Sequence, residues 1–183
     1  MKRCDWVNND PLYIDYHDNE WGIPEYNDQK LFELLILEGA QAGLSWYTVL
    51  KKREHYRLVF DNFDPEKIAK YDEKKIEELL NDPGIIRNKL KIQATITNAN
   101  VYFNVTSEYG SFSSYIWTFV DGEPINNNWE QVSDVPATTE ISEKMSRDLK
   151  KKGFKFVGPT ICYAFMQASG MVDDHIQSCI CSK

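Results

Sequence analysis

Hydrophobic and polar positions alternate with a helical period over most of the chain. After Asp28, a plausible N-cap, the segment KLFELLILEGAQAG sets Leu31, Leu34, Leu35 and Glu38 on nearly one face and stops at Gly43. Glu38 is thus a carboxylate on an otherwise apolar stripe. A second helix is predicted from Ser45, carrying Trp46, Val49, Leu50, Tyr56 and Phe60 and ending before Asp64-Pro65. Two more are predicted at 72–81 and 87–108, the latter with Ile92, Ile96, Ala99 and Phe103 in register. Residues 121–139, rich in Asn, Pro, Asp and Gly, read as a long irregular connection. They mark the boundary if the chain forms two helical lobes. Beyond them Ile141, Met145 and Leu149 define a helix, GFKFVGP at 153–159 a tight turn, and TICYAFMQAS an apolar helix ending at Gly170. Strand signals are a few short β-branched patches, so the predicted fold class is all-α.

A length of 183 residues suits a single domain, 1–183, with its own core. With 21 Lys and Arg against 28 Asp and Glu the chain is net −7, which as a total argues against a nucleic-acid partner. The distribution changes that picture. Segments 144–155, 51–57 and 87–91 carry +5, +3 and +3, so −18 falls on the remaining residues and a basic face is possible. No apolar run approaches the roughly 20 residues of a membrane span, and the N-terminus lacks an export signal. These features predict a cytoplasmic protein, whose four cysteines are then free thiols or metal ligands.

Three constellations carry chemistry. His175 and Cys179, at i and i+4, would share a helix face about 6 Å apart between Cβ atoms, and Cys4 with His17 repeats the pair near the N-terminus. Two Cys and two His fill a closed tetrahedral zinc shell that would be structural; chance spacing and a competing Cys181 are the alternatives. Trp6, Tyr13, Tyr16 and Trp21, interleaved with acidic and amide residues, and Trp46 after Glu38 are either core or the wall of a cavity. Such a cavity, backed by one carboxylate, would bind a flat, electron-poor or cationic ring. Finally, the glycines of GFKFVG permit close backbone approach, and the next helix turns its positive end there, a phosphate-binding arrangement that is weak evidence alone.

The segments CDWVNNDPLYIDYHDNEWG, LEGAQAGLSWYTVLKKRE, GIIRNKLKIQATITNA and KKKGFKFVGPTICYAFMQASGMVDDH together resemble the bacterial 3-methyladenine DNA glycosylase I family, from about residue 3 to 179. The resemblance implies a helical fold of the helix-hairpin-helix glycosylase superfamily, with a structural Zn2+ held by Cys4, His17, His175 and Cys179 joining the N- and C-terminal segments. It implies that Glu38, Tyr16 and Trp46 contact the base, with Tyr13, Trp6 and Trp21 around them and Glu38 in the catalytic role. Gly153, Lys155 and Gly158 would clamp the backbone of double-stranded alkylated DNA. The implied reaction is hydrolysis of the N-glycosidic bond of 3-methyladenine by a monomer, releasing the free base as a product ligand. Superfamily members that also cleave the strand place a Schiff-base lysine where this chain has Pro159-Thr160, so no lyase step is expected. A bidentate contact of Glu38 to an intact nucleotide requires a protonated carboxyl, because N7 of that base is only an acceptor; an ionised Glu38 would instead suit the released base. Asp173, in MVDDH, is a catalytic carboxylate, the cap of a last helix, or a partner of His175, with the cap the simplest expectation. The rival readings are a DNA or nucleotide binder without chemistry, and a zinc hydrolase.

Overall fold

The computed structural model describes residues 2–182. Its helices are α1 (Pro11–Asn19), α2 (Asp28–Gln41), α3 (Trp46–Leu50), α4 (Arg53–Val59), α5 (Pro65–Ile68), α6 (Glu73–Asn81), α7 (Lys89–Tyr109), α8 (Phe112–Trp117), α9 (Glu140–Lys152) and α10 (Pro159–Ala168). Two short strands, β1 (Ile125–Asn126) and β2 (Val172–Asp173), pair in parallel with Ile125 opposite Val172. No described helix is long and apolar enough to cross a membrane.

Helix α2 is the centre of the molecule. Asn27, one residue before the expected cap, starts it by accepting the Lys30 N–H, and every residue from Leu31 to Ala40 is buried. The stripe predicted from the sequence is therefore a helix covered on all sides, which is what a central helix requires. It packs against α3, α7, α8 and α10. Glu33 and Glu38 are buried with it.

The single helix expected from Ser45 to Phe60 is divided. Ser45 caps α3 as predicted, but the chain turns at Lys51 and Lys52 before α4 begins. The turn sends Arg53 inward, where its guanidinium meets Glu33 Oε1 and Glu20 Oε2, each at 2.6 Å. Burying Arg53 and Glu33 is tolerable only because they pair, with the half-exposed Glu20 taking the second guanidinium bond.

Helices α9 and α10 form a hairpin. Thr139 and Ser142 cap α9 reciprocally, and Gly153 ends it at φ +107°, where a side chain would be strained. The loop is pinned from two sides. Asn98 of α7 donates to the Lys155 carbonyl and accepts the Lys155 N–H, while Ser146 Oγ donates to the Val157 carbonyl at 2.6 Å.

Residues 121–139 lie across the C-terminal segment. The β1–β2 pair holds one end, and Gln177 N–H donates to the Trp129 carbonyl at 2.9 Å. The helix expected to carry His175 and Cys179 is absent, because the chain after β2 pairs with other segments. Cys179 forms a bridge with Lys2, and Ile180 N–H donates to the Lys2 carbonyl at 3.0 Å. The two histidine and cysteine side chains are brought together by turns.

Gly170 shows how tightly this end is assembled. Its φ is +68°, and a Cβ there would lie 2.2 Å from the Ile23 carbonyl carbon, because residues 22–25 run directly over the end of α10. Gly170→Ala is expected to destabilise the protein by at least about 2 kcal/mol in urea denaturation, from strain and collision together. An unchanged midpoint would mean that this crossing yields easily.

Candidate active site and metal cluster

A cavity of about 340 Å³ opens between α2, α10 and a small cluster formed by the N-terminal aromatics. All six residues singled out as a base pocket, Trp6, Tyr13, Tyr16, Trp21, Glu38 and Trp46, line this one space. Their rings meet at angles: Trp6 lies 5.1 Å from Tyr13 and 5.0 Å from Trp21, and Tyr16 lies 5.3 Å from Trp46, between centroids. Tyr13 stacks in turn on Tyr47, whose hydroxyl is fixed by Asp10. The outer wall comes from the irregular connection, through Val132, Val135 and Pro136.

Three buried polar atoms of this wall have no hydrogen-bond partner: Glu38 Oε2, Gln41 Oε1 and Trp46 Nε1. Each such group costs about 1–3 kcal/mol unless something bonds to it. Two acceptors and one donor among aromatic faces form a recognition surface for a heterocycle with polar edges. Burial pushes the Glu38 carboxyl up from 4.5 to about 8, against a smaller opposing pull from the Arg53 guanidinium. Burial thus favours the protonated carboxyl, which can both donate and accept.

Asp173 is not a cap, since no helix follows it. Its Oδ1 lies 2.7 Å from His175 Nδ1 and also accepts the His175 N–H. The next residue, Asp174, is the one that lines the cavity, and the sequence reading missed it. The adjacent pair in MVDDH offers no sign of which carboxylate faces where, because the partners each meets in the folded chain decide that, Asn127, Trp129 and Tyr163 for Asp174 and the His175 ring for Asp173. Gln41 and Gln167 were missed as well; Gln41 follows Glu38 by one helical turn, a signal that was available.

The chain ends assemble a second cluster. Donor atoms of His17, His175, Cys179 and Cys181 all lie within 4.8 Å of one another. His17 presents Nε2 to Cys179 Sγ at 3.5 Å, while its Nδ1 lies 2.7 Å from Asp18, which Arg3 holds in turn. His175 repeats the pattern: Asp173 holds Nδ1, and Nε2 is buried without a partner. Cys4, expected as a ligand, is not among these four; it is buried, with its backbone N–H 3.5 Å from His17 Nε2. Cys181 Sγ instead lies 3.9 Å from His17 Nδ1 and 3.8 Å from Asp18 Oδ1, on the opposite edge of that ring. Cys162 is apart from all of these, buried in α10 with its thiol toward the Val157 carbonyl.

The basic segments do not act as a block. Arg53 is buried, Arg57 pairs with Glu33 and Glu54, and Lys152 pairs with Glu108. Lys144, Arg147 and Lys151 line a separate groove beside Tyr109 and Phe119. Other contacts do converge on the end of α2 that carries Glu38 and Gln41. Lys91 Nζ donates to the Ala40 and Ala42 carbonyls, and Phe156 of the hairpin closes on Gly39. Gly153, Lys155 and Gly158 belong to that hairpin, with Lys155 exposed.

A helical chain with an α9–α10 hairpin, an aromatic cavity and a histidine–cysteine cluster joining its ends thus comes together from distant segments. It matches the methyladenine glycosylase family over residues 6–182. DNA-3-methyladenine glycosylase 1 of Escherichia coli (strain K12) is 53% identical over 99% of this chain and 97% of its own length. A crystal structure of a 3-methyladenine DNA glycosylase I superposes with a TM-score of 0.97 at 53% identity, covering 100% of both chains. The structure describing 3-methyladenine recognition by the Staphylococcus aureus enzyme gives 0.96 at 39% identity, covering 100% of this chain and 97% of that one. The chain belongs to the methyladenine glycosylase family.

The state of Glu38 has a measurable consequence. Its folded value lies above its unfolded one, so its stabilising contribution is complete below about 4.5 and is lost as pH rises toward about 8. In that window the wild type should lose up to about 1.4 kcal/mol per pH unit relative to Glu38→Gln, with no further change above it. Urea denaturation of both proteins across the window reads the difference; a constant difference would mean that Glu38 is ionised throughout.

Proposed function

We propose that this protein is a DNA base-excision enzyme that hydrolyses the N-glycosidic bond of 3-methyladenine in alkylated double-stranded DNA, releasing the free base and leaving an abasic site. The observation that carries the reading is the set of unpartnered buried polar atoms, Glu38 Oε2, Gln41 Oε1 and Trp46 Nε1, in a cavity walled by aromatic rings. The names of the relatives support the same substrate. The chain is read as one glycosylase domain working as a monomer in the cytoplasm.

The target base must leave the stack to be reached, and the aromatic faces of Tyr16 and Trp46, with Tyr13, Trp6 and Trp21 around them, replace its stacking partners. A base methylated at N3 is cationic, and the electron-rich ring faces favour it over neutral adenine. Glu38 touches the base and is the catalytic residue. In its protonated form the carboxyl accepts from the exocyclic amine and donates to N7. As the bond to the sugar breaks, its electron pair enters the purine and N7 becomes more basic, so the donated hydrogen bond strengthens toward the transition state. Water then attacks the oxocarbenium-like sugar. Gly153, Lys155 and Gly158 of the hairpin hold the phosphate backbone, with the end of α10 turned toward it. The purified protein is expected to release 3-methyladenine from alkylated duplex DNA, to leave the strand uncut, and to give no borohydride-trapped adduct with abasic DNA. Binding without release would favour a reader of damaged DNA.

The cluster at the chain ends fits a structural Zn2+. Its donors are soft thiols and imidazoles, each imidazole is oriented by a carboxylate on its far nitrogen, and His175 Nε2 is buried without a partner. His17, His175 and Cys179 would hold the ion; the family resemblance makes Cys4 the fourth ligand, and Cys181, the thiol gathered with the other three in the structure, is the competing one. Zinc there supplies a fastening between the termini and no reactive position. Metal analysis should find about one zinc per chain, retained in Cys181→Ser and lost in His175→Ala. Loss in Cys181→Ser instead would put that thiol in the shell.

A further inference from the structure

We infer that Asp174 is the specificity-determining charge of the cavity: its carboxylate, and not that of Glu38, makes the pocket prefer a cationic base to a neutral base of the same shape. The inference rests on the reading of this cavity as the base-binding site.

Two carboxyl groups line the cavity, and their surroundings differ. Glu38 Oε2 has no donor near it, and burial favours the protonated form there. Asp174 is only 1% exposed, yet both of its oxygens are fully occupied. Oδ1 accepts from Asn127 Nδ2 at 2.7 Å and from Trp129 Nε1 at 2.8 Å. Oδ2 accepts from the Tyr163 hydroxyl at 2.6 Å and from Gln167 Nε2 at 2.8 Å. An ionised carboxylate offers about four acceptor sites and no donor, so this shell is complementary to the anion, and a proton on Asp174 would displace one of the four. Among the described residues, no Lys, Arg or His lines the cavity, and no ion pair neutralises Asp174. Tyr13, Tyr16 and Glu38 are the other titratable groups on the wall, and Arg53 pairs with Glu20 and Glu33 behind it. The donor shell thus makes Asp174 the wall group built to carry a negative charge, and in such a buried site a charge acts with little screening.

The donors to Asp174 come from two places, the crossing segment (Asn127, Trp129) and α10 (Tyr163, Gln167). The same carboxylate thus also holds Val132, Val135 and Pro136 in position as the outer wall, and a test must separate charge from position. Asp174→Asn does so. The retained carbonyl oxygen keeps Asn127 and Trp129, while the new amide donates to a rotated Tyr163 hydroxyl and a flipped Gln167 amide. All four bonds survive and only the charge is removed.

The experiment measures binding of two probes to the full-length, zinc-loaded protein by calorimetry: 3-methyladenine as the neutral base, and 3,9-dimethyladeninium as a permanent cation with a methyl group where the sugar would attach. Asp174→Asn should weaken the cation by about tenfold or more and 3-methyladenine by less than about threefold. Tyr163→Phe and Trp129→Phe, which keep the charge, remove one donor each and lie off the cavity wall, should retain the wild-type ratio of the two affinities within about threefold; they carry the test if Asp174→Asn fails to fold. Equal weakening of both probes in Asp174→Asn, an unchanged ratio there, or loss of the ratio in the charge-retaining variants would overturn the inference. A wild-type protein that binds neither probe would overturn the base-binding reading, and the inference with it.

Discussion

The carboxyl of Glu38 sits near the C-terminal end of a helix buried from Leu31 to Ala40, and most of the architecture can be understood as what makes that position possible. An ionised carboxylate there would be costly, so the group retains its proton instead of recruiting a cation into the cavity. The nearest guanidinium, Arg53, is engaged by Glu20 and Glu33 on the far side of α2, and its pull on Glu38 is the lesser effect. A neutral carboxyl with one unpartnered oxygen is a better reader of a purine edge than a charged one, because it carries both a donor and an acceptor.

The cavity around that group is built from segments that are far apart in sequence, and it stays open only if they are held. The N-terminal aromatics cannot form a wall by themselves. They are fixed because the histidine–cysteine cluster ties residues 4–17 to residues 175–181, and because residues 22–25 lie across the end of α10 at Gly170. The outer wall depends on Asp174 and the β1–β2 pair in the same way. Each tie is polar and buried, so each is strong only while complete.

Charge follows a similar logic. Three basic segments look like one cationic surface when counted along the chain, yet part of that charge is used internally, in the Arg53 and Arg57 pairs and in Lys91 on the carbonyls at the end of α2. Those basic residues serve as internal braces of the helices and are not free surface charge.

Helical periodicity, caps and turn residues determined most of the helices and the α9–α10 hairpin, because these signals are local; the aromatic residues and Glu38 stood out by their neighbours, but as core or cavity wall alike until the family resemblance grouped them. Four quoted segments carried that resemblance. Tertiary structure decided the rest. It replaced a predicted helix around His175 and Cys179 with turns, because pairing between the chain ends outweighs helix propensity there. It broke the helix after Ser45 to bury Arg53, and it gave the cavity to Asp174 and the histidine–cysteine cluster to Asp173, two neighbours that composition and spacing cannot tell apart. Which way a side chain faces depends on the partners it meets, and those are in place only once the chain has closed on itself.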